Sequence, residues 1–109
     1  MYTSTFIFEA KPYDEEFHRF NDEIAARARV IPGFLGEEDW FNAETGLHSE
    51  VYYWESLEAM QQLIGMPVHK EAKSIHDRWI GPYRVVIGHV LTTYGQPGLG
   101  LAHVPEVSA

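Results

Sequence analysis

The sequence contains no cysteine, few basic residues and no long apolar run, and each shortage excludes a class of protein. Without cysteine there is no disulfide, no thiolate nucleophile and no thiolate metal site. Eight Lys and Arg against 16 Asp and Glu give a net charge of −8, which opposes binding to nucleic acid or to a membrane surface. No stretch of about 18 apolar residues could cross a bilayer. Residues 1–6 lack the features of a secretory signal, so we expect a cytoplasmic protein.

Aromatic and aliphatic residues, by contrast, are abundant for so short a chain. The 109 residues are 45% hydrophobic and include six Phe, six Tyr and three Trp. A single domain of this size buries only about two-thirds of the surface that its unfolded chain exposes. The apolar surplus therefore indicates a ligand pocket, a subunit interface or both.

Hydrophobic periodicity predicts four strands, over residues 3–10, 34–41, 49–55 and 83–94. In the first strand Phe6 and Phe8 share one face. In the third, Tyr52 and Trp54 share a face while Tyr53 points to the other.

Two helical segments separate these strands. Asp14 is placed to cap the first helix, which Pro32 and Gly33 end. The second is predicted in two pieces: one capped by Ser56 and closed by Gly65, the other running from Pro67 through Trp79 until Gly81 and Pro82 stop it.

The resulting order, β-α-β-β-α-β, predicts a ferredoxin-like α+β fold, with one antiparallel sheet and helices on one face. The other face would carry large apolar side chains, which a second copy could cover, so we expect a homodimer. We assign residues 1–95 to the domain and residues 96–109 to a Gly- and Pro-rich arm or disordered tail.

Four short motifs resemble the antibiotic biosynthesis monooxygenase (ABM) family. In chain order they are Pro32-Gly33-Phe34-Leu35-Gly36, Tyr53-Trp54-Glu55-Ser56-Leu57-Glu58-Ala59, Pro67-Val68-His69-Lys70-Glu71-Ala72-Lys73, and Trp79-x-x-x-Tyr83-Arg84-Val85 followed by Tyr94-Gly95. The resemblance covers residues 6–95. It implies a dimeric α+β barrel with a pocket between each subunit's sheet and its helices. Several members of that family oxygenate aromatic polyketides with molecular oxygen and no cofactor, and a related branch binds and degrades haem.

Oxygenation without a cofactor requires a general base, hydrogen-bond donors that hold the substrate anion, and a dry aromatic cavity. His69 and His76 are our candidate bases, although both could instead be half-exposed helix residues. Trp54 matches a tryptophan that the haem-degrading relatives carry at the end of this strand, and we assign it to the catalytic pocket; the alternative is ordinary core. The residues predicted to contact substrate are Phe8, Tyr52, Trp79 and Tyr83.

Metal and haem sites are not predicted. His48 and Glu50 alternate onto one strand face, but a third ligand, such as His89, would have to be brought close by folding. The haem branch resembles this chain but carries an asparagine where Phe8 or Glu9 stands and a histidine where Lys73 stands. His69 or His76 would then have to substitute as the haem ligand, so we expect no cofactor.

Three functions follow from these residues. The leading hypothesis is a cofactor-independent monooxygenase acting on a small aromatic phenol or quinol. The second is a non-catalytic ligand-binding or stress-associated dimer. The third, haem degradation, is disfavoured because its signature asparagine and histidine are absent.

Overall fold

The structure is a computed structural model that describes residues 1–74 and 76–106; the side chains of residues 68, 72–74 and 76 lie outside the described part. Its strands are β1 (Tyr2–Ala10), β2 (Phe34–Asn42), β3 (Leu47–Trp54) and β4 (Ile80–His89). Its helices are α1 (Glu15–Arg29), α2 (Leu57–Ile64) and α3 (Pro67–Ser74), the last followed by a 3-10 turn over His76–Arg78. The predicted element order is confirmed, including the break in the second helix.

The four strands form one antiparallel sheet in the order β2-β3-β1-β4, as the ferredoxin-like arrangement requires. Tyr2 lies opposite Trp54 on β3, and Phe8 lies opposite His48 on β3 and Tyr83 on β4. Directly opposed residues project to the same face of a sheet. The face that carries Trp54 and Phe8 is the one that the helices cover.

Two predicted helix caps are confirmed. The side chain of Asp14 accepts a hydrogen bond from the N–H of Phe17, and that of Ser56 accepts one from the N–H of Ala59. Each bond satisfies a backbone donor that the first turn leaves without a partner, which is typically worth about 1 kcal/mol. The caps fix where α1 and α2 begin, and α2 then runs along the end of β3.

The centre of the core lies where α2 crosses the end of β3. Trp54 is fully buried there, and its indole N–H donates to the hydroxyl of Ser4 on β1 at 3.0 Å. The other buried members of this cluster are Ala28, Ile31, Ala59, Met60 and Leu63. Gly33 permits the close approach of α2, because it has a φ of +95° and a Cβ there would lie 2.9 Å from that of Ala59.

The prediction for the last strand was wrong at both ends. β4 begins at Ile80, and Gly81 and Pro82 lie within it. The register between β1 and β4 shifts between Phe8 and Ala10: Glu9 of β1 lies against both Gly81 and Pro82, so β4 carries the extra residue and Ile80 pairs with Ala10. Pro82 is tolerated there because β4 is an edge strand. β4 then ends at His89, which lies opposite Tyr2, the first residue of β1, and does not continue to Tyr94.

The prediction that one helix runs from Pro67 through Trp79 was also wrong. α3 ends at Ser74, and the chain then turns through the 3-10 segment into β4. The carbonyl of Trp79 accepts a hydrogen bond from the backbone N–H of Lys11 at 2.6 Å. That bond lies one residue beyond the Ala10–Ile80 pair and ties Trp79 to the chain that follows β1, where helical periodicity suggested a helix.

After β4 the chain folds back over the face of the sheet that the helices leave open. There the ring of His103 approaches a carboxylate oxygen of Glu38 at 2.7 Å and contacts Tyr53 with ring centroids 4.8 Å apart. The ring lies over Gly36, where any Cβ would overlap it. Sequence reasoning gave His103 no role. The division of the chain at residue 95 stays a prediction.

Candidate functional site

A cavity of about 410 Å³ lies between the sheet and the helices. Its residues come from β1, β3 and β4 on one side and from the three helices on the other: Ser4, Thr5, Phe6, Ile24, Glu50, Tyr52, Met60, Leu63, Ile64, His69, Ile80, Tyr83, Val85 and Ile87. Most of this lining is apolar. Tyr83, Val85 and Ile87 line the cavity and yet are about half exposed, so the cavity opens towards β4.

Glu50 is the carboxylic acid in this lining. It lies in the middle of β3 on the helix-covered face, opposite Phe6 on β1 and Asp39 on β2. Burial, followed by the negative charges of Asp39 and Glu37, raises the pKa of Glu50 from 4.5 to about 7. A carboxyl group with a pKa near neutrality in an apolar cavity is suited to general-base catalysis.

Two tyrosines lie close enough to sense the charge of Glu50. Burial and then the charge of Glu50 raise the pKa of Tyr52 well above its ordinary value, and the same two causes, in the same order, raise that of Tyr13. Tyr52 is therefore a protonated phenol at neutral pH and can donate a hydrogen bond into the cavity that it lines. Beside Glu50, the phenol of Tyr52 can therefore donate a hydrogen bond to a molecule bound in the cavity.

His69 of α3 and Tyr83 of β4 also belong to the polar part of the lining, with Ser4 and Thr5 of β1. Of the seven residues assigned to the site from sequence, the structure brings three together around the cavity: His69, Tyr52 and Tyr83. His69 is half-buried, so it combines both sequence interpretations: a helix residue partly open to solvent and a candidate base facing the cavity. The side chain of His76 lies outside the described residues.

Three other predicted site residues are buried elsewhere. Trp54 has the predicted orientation towards the helices, but α2 begins immediately after it and seals it in the core. Phe8 stacks between Phe6 and His48, with ring centroids 4.9 and 5.4 Å away. Trp54 and Phe8, which we predicted to line the pocket, both lie outside the lining of this cavity.

Trp79 likewise lies outside the lining, because the turn after α3 directs it against α1. Its ring centroid is 5.8 Å from that of Phe17 and 6.0 Å from that of Phe20. Its buried indole N–H has no partner within hydrogen-bond geometry among the described residues, but it influences the carboxylate of Asp14. The pKa of Asp14 is lowered first by its hydrogen bond from the backbone of Phe17 and then by Trp79. Trp79 thus helps to hold the start of α1.

The described part of the chain contains no cluster of side chains that could bind a metal ion. No three side chains among His, Asp and Glu converge there. His48 of β3 stacks on Phe8, near one end of β1, and His89 of β4 stacks on Tyr2, at the other end. The described lining of the cavity also contains no Lys or Arg that could hold the propionates of haem.

Glu50 is the residue whose role sequence reasoning missed. The sequence pattern pairs Glu50 with His48 as possible metal ligands. Glu50 also alternates with Tyr52 and Trp54 onto the covered face of β3. A lone acid on an otherwise aromatic covered face is the signal that could have identified it.

The fold is shared with antibiotic biosynthesis monooxygenases. A point mutant of SnoaB, a cofactor-independent oxygenase from Streptomyces nogalater, superposes with a TM-score of 0.69 at 14% identity, over 84% of this chain and 94% of that one. A candidate antibiotic biosynthesis monooxygenase from Deinococcus radiodurans gives 0.70 at 16%, over 90% of this chain and 100% of that one. Rv0793 from Mycobacterium tuberculosis gives 0.67 at 16%, over 83% and 94%.

The sequence itself matches no protein-family model and none of the curated proteins. The structural similarities nevertheless confirm the predicted resemblance to the ABM family at the level of the fold. No helix in the described ranges is both long and apolar enough to traverse a bilayer.

Proposed function

We propose that this chain is a cofactor-independent monooxygenase that uses molecular oxygen on a small aromatic phenol or quinol. The observation that carries the proposal is Glu50, whose carboxyl group has a pKa of about 7 inside a largely apolar cavity. SnoaB, which shares the fold, is a cofactor-independent oxygenase, and this adds support.

In the proposed reaction the substrate supplies the electrons and the protein moves protons. The substrate reacts as its keto tautomer, in which the ring carbon para to the oxygen is a CH2 group. Glu50 accepts one proton from this carbon, and the resulting anion reduces and adds oxygen. Glu50 returns its proton to the new peroxide, then accepts the second proton from the same carbon as the O–O bond breaks. One oxygen atom remains as a ketone and the other leaves as water. A reduced tricycle such as anthrone would thus become its quinone.

The hydroxyls of Tyr52 and Tyr83 are proposed to hold the substrate's oxygen as negative charge develops on it. Hydrogen-bond donors fixed in an apolar site stabilise such charge far better than mobile water does. The apolar side chains around them exclude water, so the substrate anion meets oxygen before it can take its proton back.

Oxygen uptake with anthrone, by protein freed of metal and flavin, tests the proposal. We expect uptake above the spontaneous rate, with one quinone formed per oxygen consumed. Glu50→Gln should lower that rate by about 100-fold or more, since general bases typically contribute about 10² to 10⁴. Glu44→Gln, which changes an exposed acid on the hairpin between β2 and β3, is the matched control. Tight binding without uptake would instead support a non-catalytic binding protein.

We also propose that the protein is a homodimer in which the open faces of two sheets meet. That face carries Trp40, 58% exposed, and Val86, 47% exposed, in register with Ile7 and Thr5 of β1. Burial of such side chains favours association. Light scattering after gel filtration should give twice the chain mass of 12.5 kDa, and a monomer at micromolar concentration would contradict the proposal.

A further inference from the structure

We propose, building on the function above, that the cavity selects uncharged aromatic phenols and rejects those that carry a carboxylate or phosphate group. The selectivity is assigned to Glu50 together with Asp39 and Glu37, three acids on the same face of neighbouring strands. The proposal concerns the charge of the substrate, which the proton-transfer steps do not specify.

The lining provides no permanently charged cation as a partner for an anion; its one basic side chain among the described residues is the imidazole of His69. Its described residues include one carboxylic acid, Glu50, and no Lys or Arg. An anionic group that left water for this cavity would lose its hydration and gain no ionic partner, which is among the least favourable transfers in proteins. It would in addition be repelled by Glu50 whenever that group is ionised.

Asp39 and Glu37 extend this negative potential along β2. Asp39 lies directly opposite Glu50, and Glu37 lies directly opposite Tyr52. Side chains in such opposed positions have Cβ atoms about 5 Å apart. The charges of both acids also act on Glu50, so their field reaches the cavity wall.

The cation that faces these acids is already engaged. Arg29, at the end of α1, donates to one carboxylate oxygen of Glu37 through Nε at 3.0 Å and through a terminal nitrogen as well. An incoming carboxylate would have to compete with Glu37 for a guanidinium that lies outside the lining. The pair therefore leaves the excess of negative charge at Asp39 and Glu50 uncompensated.

A neutral phenol meets none of these penalties. Its ring would occupy the apolar lining, and its hydroxyl can exchange hydrogen bonds with Tyr52, Tyr83, His69 or Ser4. A cationic amine would be attracted to Glu50, but it would keep that carboxylate ionised and weaken it as a base. A neutral phenol therefore meets the requirements both of binding in the cavity and of proton transfer to Glu50.

A matched pair of probes isolates the charge: 6-hydroxy-2-naphthoate and its methyl ester. They differ by one negative charge and one methyl group, and their binding can be measured by calorimetry under anaerobic conditions, apart from oxygen uptake. At pH 8 we expect the ester to bind at least tenfold more tightly than the acid. The preference should fall below pH 7, where Glu50 becomes protonated.

Two variants assign the effect to its residues. Glu50→Gln and Asp39→Asn should each narrow the ester's preference by several-fold, while the control Glu44→Gln should leave it unchanged. Asp39 is exposed, so its variant keeps the test valid if Glu50→Gln fails to fold. Equal or tighter binding of the acid, or no binding of either probe, would overturn the proposal. A retained ester preference without oxygen uptake on anthrone would refute the oxygenase function and leave the charge selection standing.

Discussion

Glu50, a half-buried acid in the cavity lining, should make the protein less stable as the pH rises. Folding raises the pKa of Glu50 from 4.5 to about 7, so the folded state holds a proton that the unfolded chain releases. For an acid shifted upward, stability is greatest below the unfolded pKa and is lost as the pH rises through the folded one. The shift of about 2.5 units corresponds to ~3 kcal/mol in all, of which ~2 kcal/mol falls between pH 5.5 and 8.5.

Glu50→Gln removes the titrating group and retains the shape of the side chain. Urea unfolding of both proteins at pH 5.5 and pH 8.5 measures the effect, because titrations elsewhere are common to the two and cancel in the comparison. We expect the wild-type protein to lose ~2 kcal/mol more than the variant between these pH values. An equal loss in both proteins would refute the reasoning, and Glu44→Gln should behave as the wild type does.

Three further substitutions probe the neighbourhood. Asp39→Asn removes a like charge beside Glu50, so the pH midpoint of oxygen uptake should move down; an unchanged midpoint would show that the two acids do not interact. His103→Ala leaves the nearly buried carboxylate of Glu38 without its closest partner, and chemical denaturation at pH 7 should show a loss of about 1–3 kcal/mol. A loss below 0.5 kcal/mol would mean that the arm is not held by this contact. Trp54→Phe should cost about 1–2 kcal/mol through its lost hydrogen bond to β1 and yet retain oxygen uptake, because Trp54 lies outside the cavity lining. Loss of uptake in a folded variant would return Trp54 to the site.

The contact between His103 of the arm and Glu38 of β2 should also make the stability depend on pH, with the sign opposite to that of Glu50. Burial raises the pKa of Glu38, but hydrogen bonds from His103, Trp40 and Tyr53 lower it by more, so the pKa lies below its usual value. Stability from this group is therefore present above the unfolded pKa and is lost as the pH falls through the folded one. His103→Ala should weaken that acid dependence, which the same unfolding measurements below pH 5 would detect.

Local signals in the sequence were sufficient for much of the fold. The caps at Asp14 and Ser56 act through bonds within one helical turn, so they can be read from neighbouring residues. The alternation of Tyr52, Tyr53 and Trp54 predicted that Tyr52 and Trp54 share one face of β3, because successive residues of a strand project to opposite faces. Both features depend on short-range geometry alone.

The features that sequence reasoning missed depend on contacts between distant segments. The start of β4 at Ile80 follows from its pairing with Ala10 of β1, about seventy residues earlier in the chain, which continues the strand past Gly81 and Pro82. His103 acquires a partner only because the arm returns to Glu38 on β2. The raised pKa of Glu50 likewise requires that Asp39 lie opposite it and that the helices cover it. Periodicity does not report such pairings.

The pH dependence of oxygen uptake on anthrone, measured as kcat/KM for wild type and Glu50→Gln side by side, tests the central claim most directly. If Glu50 is the base, the wild-type value rises with pH around a midpoint near 7, the pKa of that carboxyl group. The variant should then lose about 100-fold or more of its activity above that midpoint and show no such rise. A variant that retained the wild-type rate and midpoint would contradict the account, and the proton acceptor would have to be sought elsewhere, first at His69.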